Sequence, residues 1–264
     1  MHAQTASPRW ALVLGASSGF GEACVRALAK AGYDIAGVHL DRKAGIAHVE
    51  EVKAAIAAAG RRALFFNVNA ADDQKRQEVL DTLAADIAQD GGTVAVLMHS
   101  LAFGTLKPYV ADDALSRANM EMTLDVMAHS LVYWAQDLVK RKLMGRGGRI
   151  LSMTSSGSTR VIPSYGAVSA AKCALESHSR QLATELAPHD ITVNALRGGV
   201  TRTPASEKIP GSAQLFEQAA RRNPHRRLTV PDDVAAAVVA LCQPGTDWIT
   251  GNVINVDGGE EITG

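Results

Sequence analysis

No stretch of this 264-residue chain approaches the roughly 20 consecutive apolar residues needed to cross a bilayer, and its first nine residues, MHAQTASPR, hold no apolar signal region. Export and membrane anchorage are therefore not expected, and a cytoplasmic protein is. Cysteine is scarce: Cys24, Cys173 and Cys242 are odd in number, far apart and without metal-ligand spacing. That pattern excludes a disulfide framework, gives no metal site, and fits a reducing compartment. A charge of one sign is missing too, because 27 Lys and Arg balance 27 Asp and Glu, so no global field draws nucleic acid or an anionic membrane. Low-complexity linkers and internal repeats are also lacking. The length suits one α/β domain spanning residues 1–264.

What is present is an alternation. Apolar runs of strand length recur as WALVL, YDIAGVHL, RALFFNV, TVAVLMHS, RILSMTS, DITVNAL and NVINV. Their unbroken apolar character suits strands covered on both faces, as in a parallel sheet. Helical composition fills most of the gaps: Lys43 to Ala59 ends at Gly60, and Asp72 to Gln89 ends at Gly91 and Gly92, both consistent with glycine helix stops. Strand, helix, strand repeats imply right-handed crossovers and a Rossmann-type doubly wound α/β sheet of about seven strands. One irregular region is expected, Thr203 to Leu228, where Pro204, Pro210, Gly211 and Pro224 punctuate a short helical piece. It follows a strand end, where ligands of open α/β sheets bind, so it is either a lid over the site or a surface excursion.

Two motifs carry chemistry. LGASSGFGEA, Leu14 to Ala23, follows the first strand and opens the first helix. Gly15, Gly19 and Gly21 allow a tight turn and close approach of backbone to a pyrophosphate, for which a helix N-terminus supplies free N–H groups. In the run PSYGAVSAAKCALE, Tyr165 and Lys172 stand seven positions apart, two helical turns or about 10 Å of axis on one face. A lysine there can hold a ribose while a tyrosine reaches on to a substrate oxygen.

Together these segments resemble the short-chain dehydrogenase/reductase superfamily over essentially the whole chain. Gly15, Gly19 and Gly21 match its GxxxGxG, Asn67 and Val68 its adenine contact, Gly198 to Thr203 (GGVTRT) its nicotinamide-amide segment, and NVINVDGG its C-terminal strand; Leu14 departs from the usual Thr before the first Gly. Within the superfamily the chain is similar to enoyl-acyl-carrier-protein reductases, in a divergent NADPH-dependent branch. Ketone reducers have Asn-Ala-Gly after the fourth strand, an Asn in the following helix and a Tyr four residues before the Lys. This chain has His99, Ser100, Leu101 and Ala102, then Met127, and Val168. HSLAF, RVIPSYGAVSAAK and NPHRRLTVPDDVA resemble the enoyl reductases instead, although Ser155 stands where many members have a second Tyr.

The resemblance implies hydride transfer from NAD(P)H to the trans-2 double bond of an enoyl thioester on acyl carrier protein or coenzyme A, as in fatty acid synthesis. The wider spacing suits that reaction: hydride goes to the β-carbon while charge develops on a thioester oxygen two bonds away. Tyr165 is expected to serve that oxygen, with Lys172 holding the nicotinamide ribose and lowering the Tyr165 pKa. Ser155 suits either bonding the substrate carbonyl or capping a strand end. The resemblance assigns to the nucleotide Gly15, Ser17, Ser18, Gly19, Phe20, Gly21, His39, Arg42, Asn67, Val68, Ser100, Leu101, Ala102, Lys172, Gly199, Val200, Thr201 and Thr203. His39 replaces the usual acidic residue after the second strand, and Arg42 and Lys43 follow Asp41. With Asp41 turned to solvent, a basic pair favours NADPH, and NADH stays open. His99 suits either the adenosine side of the nucleotide or a satisfied interior polar role. Met120, Met122 and Met127 are expected in helix core. Arg221, Arg222, His225, Arg226 and Arg227 form either a landing patch for an acidic carrier protein or a solvated helix face. Leu215 and Phe216 either cover an acyl chain or seal the lid. The resemblance also implies a homo-oligomer, a tetramer. The rival readings are an atypical carbonyl reductase or alcohol dehydrogenase, and a nucleotide-sensing regulator without turnover.

Overall fold

The computed structural model describes residues 8–263, so most of the MHAQTASPR segment lies outside the described residues. Within that span the elements run β1 (Arg9–Leu14), α1 (Gly19–Lys30), β2 (Asp34–His39), α2 (Ile46–Ala58), β3 (Ala63–Asn67), α3 (Asp73–Ala88), β4 (Thr93–His99), α4 (Arg117–Leu124), a π-helical turn (Asp125–His129), α5 (Ser130–Lys140), β5 (Arg149–Thr154), α6 (Gly166–Leu186), β6 (Thr192–Gly198), α7 (Ser212–Arg222), α8 (Pro231–Leu241) and β7 (Val253–Val256). The strands form one parallel sheet in the order β3-β2-β1-β4-β5-β6-β7. Each predicted apolar run supplies one of them.

Why these runs become strands is visible in β1. Trp10, Leu12 and Leu14 join the core formed with α3, α5 and α6, whereas Ala11 and Val13 join the opposite core formed with α1, α2 and α8. A strand buried on both faces has no polar side to alternate with, hence its continuous apolar sequence. The two helices expected before Gly60 and Gly91 also form. The first begins with a short 3-10 turn, Lys43–Gly45, before Ile46, and the second is capped by Asp72, whose side chain accepts from the Lys75 N–H at 2.9 Å.

One expectation fails. Thr203 to Leu228 is not the only long irregular segment, since residues 100–116 between β4 and α4 contain no helix or strand. The order of strands reverses between β1 and β4, and ligands of such sheets bind at the carboxyl ends beside that reversal. The residues after β1, β4, β5 and β6 converge there.

Candidate active site

The first βα turn is shaped by its main chain. Gly15 has φ +89°, and a Cβ added to it would lie 2.3 Å from the Ser100 carbonyl oxygen; one added to Gly21 would lie 1.9 Å from the carbonyl oxygen of Gly15. Neither distance is tolerable, so the turn accepts only glycine at both places. Gly15 and Ala16 N–H both donate to Val38 O, and Ser100 N–H donates to Leu14 O at 2.8 Å, which ties the turn to β2 and β4. Ser18 caps α1 with extended backbone and makes no side-chain capping bond, so the first N–H groups of the helix stay available to an anion. This cradle fits the pyrophosphate of a dinucleotide.

Of the other residues assigned to the nucleotide, Phe20, Ser100, Leu101, Ala102, Lys172, Gly199, Val200, Thr201 and Thr203 line one cavity of about 370 Å³ beyond the turn, together with Ser155 and Tyr165. Gly19 closes against Thr203, whose Cγ2 would lie 3.3 Å from an added Cβ. Val200 N–H donates to Glu260 Oε2 at 3.0 Å and Gly199 N–H to Val256 O at 3.2 Å, so this rim hangs from the C-terminal segment. Ser17 is half-buried and Ser18 exposed in the cradle itself.

At the β2 end the side chains are differently disposed from the expectation. His39 is buried, with Nδ1 2.9 Å from Asp41 Oδ2 and its ring tilted on Phe65. Asp41 does not turn to solvent; that carboxylate is folded back on His39 because an interior imidazole needs a polar partner. Asn67 is likewise engaged: its Oδ1 accepts the Asp41 N–H at 2.9 Å and its Nδ2 donates to Asp41 O at 3.0 Å. Val68 N–H donates to His39 O at 2.8 Å. Arg42 and Lys43 remain exposed at the edge.

Tyr165 and Lys172 open on the same cavity. Tyr165 caps α6, and its ring lies on Gly157, where a Cβ would be 2.4 Å from Tyr165 Cε1. Lys172 is buried and donates Nζ to Met153 O at 2.7 Å, with Leu101 O at 3.5 Å. Burial pulls its pKa down to about 8, opposed by Glu176. The expected lowering of Tyr165 does not occur: burial raises its pKa, and the Ser155 hydroxyl only partly counters that. Desolvation dominates, and the phenol stays protonated at neutral pH. Ser155 lines the cavity, and its Oγ accepts the Gly157 N–H at 3.3 Å, capping the short 3-10 turn that follows β5.

His99 faces the interior and does not line the cavity. It is fully buried, Nε2 lies 2.9 Å from Ser130 Oγ, and burial, with Lys172 adding to it, pushes its pKa down to about 3. Met127 is buried as expected but also lines the cavity, from the π-helical turn. Val168, in the place of the ketone reducers' Tyr, is a buried aliphatic wall. Gly104, unnoticed in the sequence, lets the loop after β4 pass close to both, since its Cβ would meet Val168 Cγ2 at 2.6 Å and Met127 Sδ at 2.8 Å. Leu215 lines the cavity, whereas Phe216 is buried beneath α7 with the Arg202 guanidinium 4.4 Å from its ring centroid. The basic cluster is largely neutralised, Arg221 by Glu217, Arg222 by Glu260 and Arg227 by Asp233, which makes it a paired face and not an open positive patch.

Comparison with known proteins agrees with this geometry. A family described as Enoyl-(Acyl carrier protein) reductase matches residues 15–261. The enoyl-acyl-carrier-protein reductase (NADH) of Nostoc sp. is 33% identical over 202 residues, 76% of each chain. The solved structure of the NADH enzyme of that name from Aquifex aeolicus VF5 superposes with a TM-score of 0.84 at 25% identity, covering 97% of both chains. A short-chain dehydrogenase from Burkholderia cenocepacia J2315, solved in complex with NADP, superposes at 0.82 and 29% identity over 96% of this chain and 98% of that one.

Proposed function

The chain belongs to the enoyl-acyl-carrier-protein reductase family, and from that premise we propose how its residues divide the work. It is a nicotinamide-dependent oxidoreductase that reduces the double bond of an enoyl thioester. A nicotinamide nucleotide, when bound, supplies the hydride. The observation that carries the assignment of roles is the meeting of Tyr165, Lys172 and the loop after β4 around one cavity at the mouth of the glycine cradle.

The cradle of Gly15, Ser17, Ser18, Gly19, Phe20 and Gly21 holds the pyrophosphate against the N-terminus of α1. Lys172, placed by the main-chain oxygen of Met153, carries its charge to the ribose hydroxyls. Tyr165 Oη donates a hydrogen bond to the thioester oxygen and strengthens it as that oxygen gains enolate charge, so the interaction favours the transition state over the ground state. A raised pKa keeps that proton on the phenol, ready to be donated. The α-carbon then takes a proton from water. Ser155 orients the phenol or the carbonyl, and Val168 leaves no acid where a ketone oxygen would need one. Thr203 to Leu228 forms the wall over the acyl chain and closes as a lid once substrate and nucleotide are both present.

The nucleotide is NADPH in this reading, because Arg42 and Lys43 stand exposed beside a β2 end whose carboxylate, Asp41, is occupied by His39. The substrate is carried on acyl carrier protein. Steady-state reduction of crotonyl thioesters of carrier protein and of coenzyme A, with NADPH and NADH, tests the whole assignment against a panel of ketones. Arg42→Ala should raise the KM for NADPH about three- to tenfold, the worth of one exposed charge-assisted contact, and leave that for NADH unchanged. Equal loss with both nucleotides means that Arg42 supports the loop and not a phosphate.

A further inference from the structure

A buried carboxylate that does not itself line the cavity fastens two of its walls. After β7 the chain turns at Asp257, whose Oδ1 accepts the Gly259 N–H and whose Oδ2 accepts the Glu261 N–H, each at 2.9 Å. That turn carries Glu260 inward, where it is 3% exposed. Its Oε2 accepts the Val200 N–H at 3.0 Å, and its Oε1 accepts from Arg222 Nη2 at 2.9 Å. Val200 lines the cavity, and Arg222 is the last residue of α7. The same end of α7 is held twice more, because Thr263 Oγ1 donates to Arg222 O at 3.1 Å and the buried Asn223 donates Nδ2 to Asp257 O at 2.8 Å. The other end of the helix starts from Gly211, at φ +76° and without a side-chain capping bond.

We propose that Glu260 is a positioning residue for the reaction: one carboxylate sets the Val200 rim with one oxygen and the C-terminal end of α7 with the other, so that the rim meeting the nucleotide and the wall over the acyl chain keep a fixed relation. A buried carboxylate is costly unless both oxygens are bonded, and here one meets a cation and the other a main-chain N–H. Two acceptors are needed to serve both donors. An amide has only one, and its NH2 would face a donor on the other side. The Arg202 guanidinium supports the same relation, since it reaches from the rim to lie 4.4 Å from the Phe216 ring centroid on α7. Hydride transfer is sensitive to such a tie, because a misplacement of about 1 Å can cost about 10²-fold in rate. The glycine cradle is built from other residues, so loosening the rim should harm orientation more than affinity.

This inference rests on the cavity as the place where nucleotide and enoyl thioester meet, and the test keeps the two ideas apart. Hydrogen exchange of the nucleotide-free protein reads the ties directly. Glu260→Ala should speed exchange about tenfold at the Val200 amide and over residues 218–222, with β1 protected as in wild type. Glu260→Gln should restore protection at only one of the two places. Arg222→Met leaves the carboxylate on Val200, so it should speed exchange over residues 218–222 and much less at Val200; it serves if the glutamate variants fail to fold, as judged by thermal melting. In the assay, Glu260→Ala with saturating NADPH should turn over crotonyl thioester about tenfold more slowly, while NADPH affinity by fluorescence stays within about threefold. Unchanged exchange over residues 218–222 in Glu260→Ala or Arg222→Met, full protection of both places in Glu260→Gln, or a loss of stability with kcat unchanged overturns the proposal. Failure of NADPH and NADH to protect residues 15–21 of the wild-type protein overturns the reading of the cavity instead.

Discussion

The glycine cradle and the cavity beyond it, the two ends of one site, are built from different material. At the β1 end a ligand meets main chain, packed so closely that an added Cβ would lie 2.3 Å from one carbonyl oxygen at Gly15 and 1.9 Å from another at Gly21. At the β5 and β6 end it meets side chains, Tyr165, Lys172, Ser155, Val168 and Met127, carried by a helix, a strand end and a π-helical turn. In the proposed function the first end recognises a pyrophosphate by N–H groups that any sequence possesses, provided nothing stands in front of them. The second, in the same proposal, performs chemistry that depends on which atom each side chain ends in. Change at the first end is therefore steric, and at the second it is chemical.

The sharpest way to break this contrast is Tyr165→Phe. It removes one oxygen from the chemical end, so kcat should fall by about 10²- to 10³-fold, the worth of one donor to a developing oxyanion, while NADPH affinity stays within about twofold. A matched fall in affinity, measured by fluorescence titration, would mean that the phenol belongs to the nucleotide end as well. Next comes the wall over the cavity. Phe216→Ala empties a buried site and should cost about 3 kcal/mol of stability in urea unfolding, whereas Leu215→Ala should cost under about 1 kcal/mol and raise KM more for long-chain than for short-chain enoyl thioesters. Similar stability losses in both would erase the distinction between sealing and lining. At the steric end, Gly21→Ala should displace the turn, costing about 1–3 kcal/mol of stability and abolishing tight binding of NADPH and NADH alike. Selective loss of one nucleotide would contradict a cradle that reads only pyrophosphate.

The last effect leaves the cavity intact and concerns acid. His99 is neutral in the folded protein down to about pH 3 and has an ordinary value of 6.5 when exposed, so unfolding takes up a proton across that interval. Its folded pKa is lowered, so stability is whole above pH 6.5 and drains away as pH falls from 6.5 towards 3. Between neutrality and about pH 5 this amounts to about 2 kcal/mol. His99→Asn should lower stability at pH 7 by loss of the Ser130 contact yet flatten its decline with acid. An unchanged slope in urea unfolding from pH 7 to pH 5 would assign acid sensitivity elsewhere.

How much of this was legible in the sequence follows from range. The strands could be read because burial on both faces leaves an unbroken apolar run, and the cradle because its glycines are local to one turn. Tyr165 and Lys172 were legible for the same reason, a spacing within one helix. What escaped depends on which side a strand end faces or on pairing between distant strands. His99 and Ser100 are neighbours, yet the pleat sends the first into the core and the second to the cavity. Asp41 was expected in solvent because its tie to His39 depends on which way the end of β2 turns its imidazole. Glu176 carried a faint signal, four residues from Lys172 on one helical face, but its tie to Arg197 exists only once β5 and β6 are in register. The π-helical turn at Asp125–His129 left no mark at all.

The position of β1 in the sheet has a consequence for how the protein is made. β1 is flanked by β2 and β4, both synthesised after it, so one of its two edges waits for residues 93–99. Ser100, which closes the cradle over Gly15, arrives with them. Synthesis then continues through α6 and β6 before Lys172 acquires its surroundings. The nascent chain must hold an apolar β1–β2–β3 sheet with one edge unpaired during that interval, and pairings this distant in sequence form slowly. Nucleotide can stabilise the fold only by mass action on the completed chain, and cannot nucleate its first half.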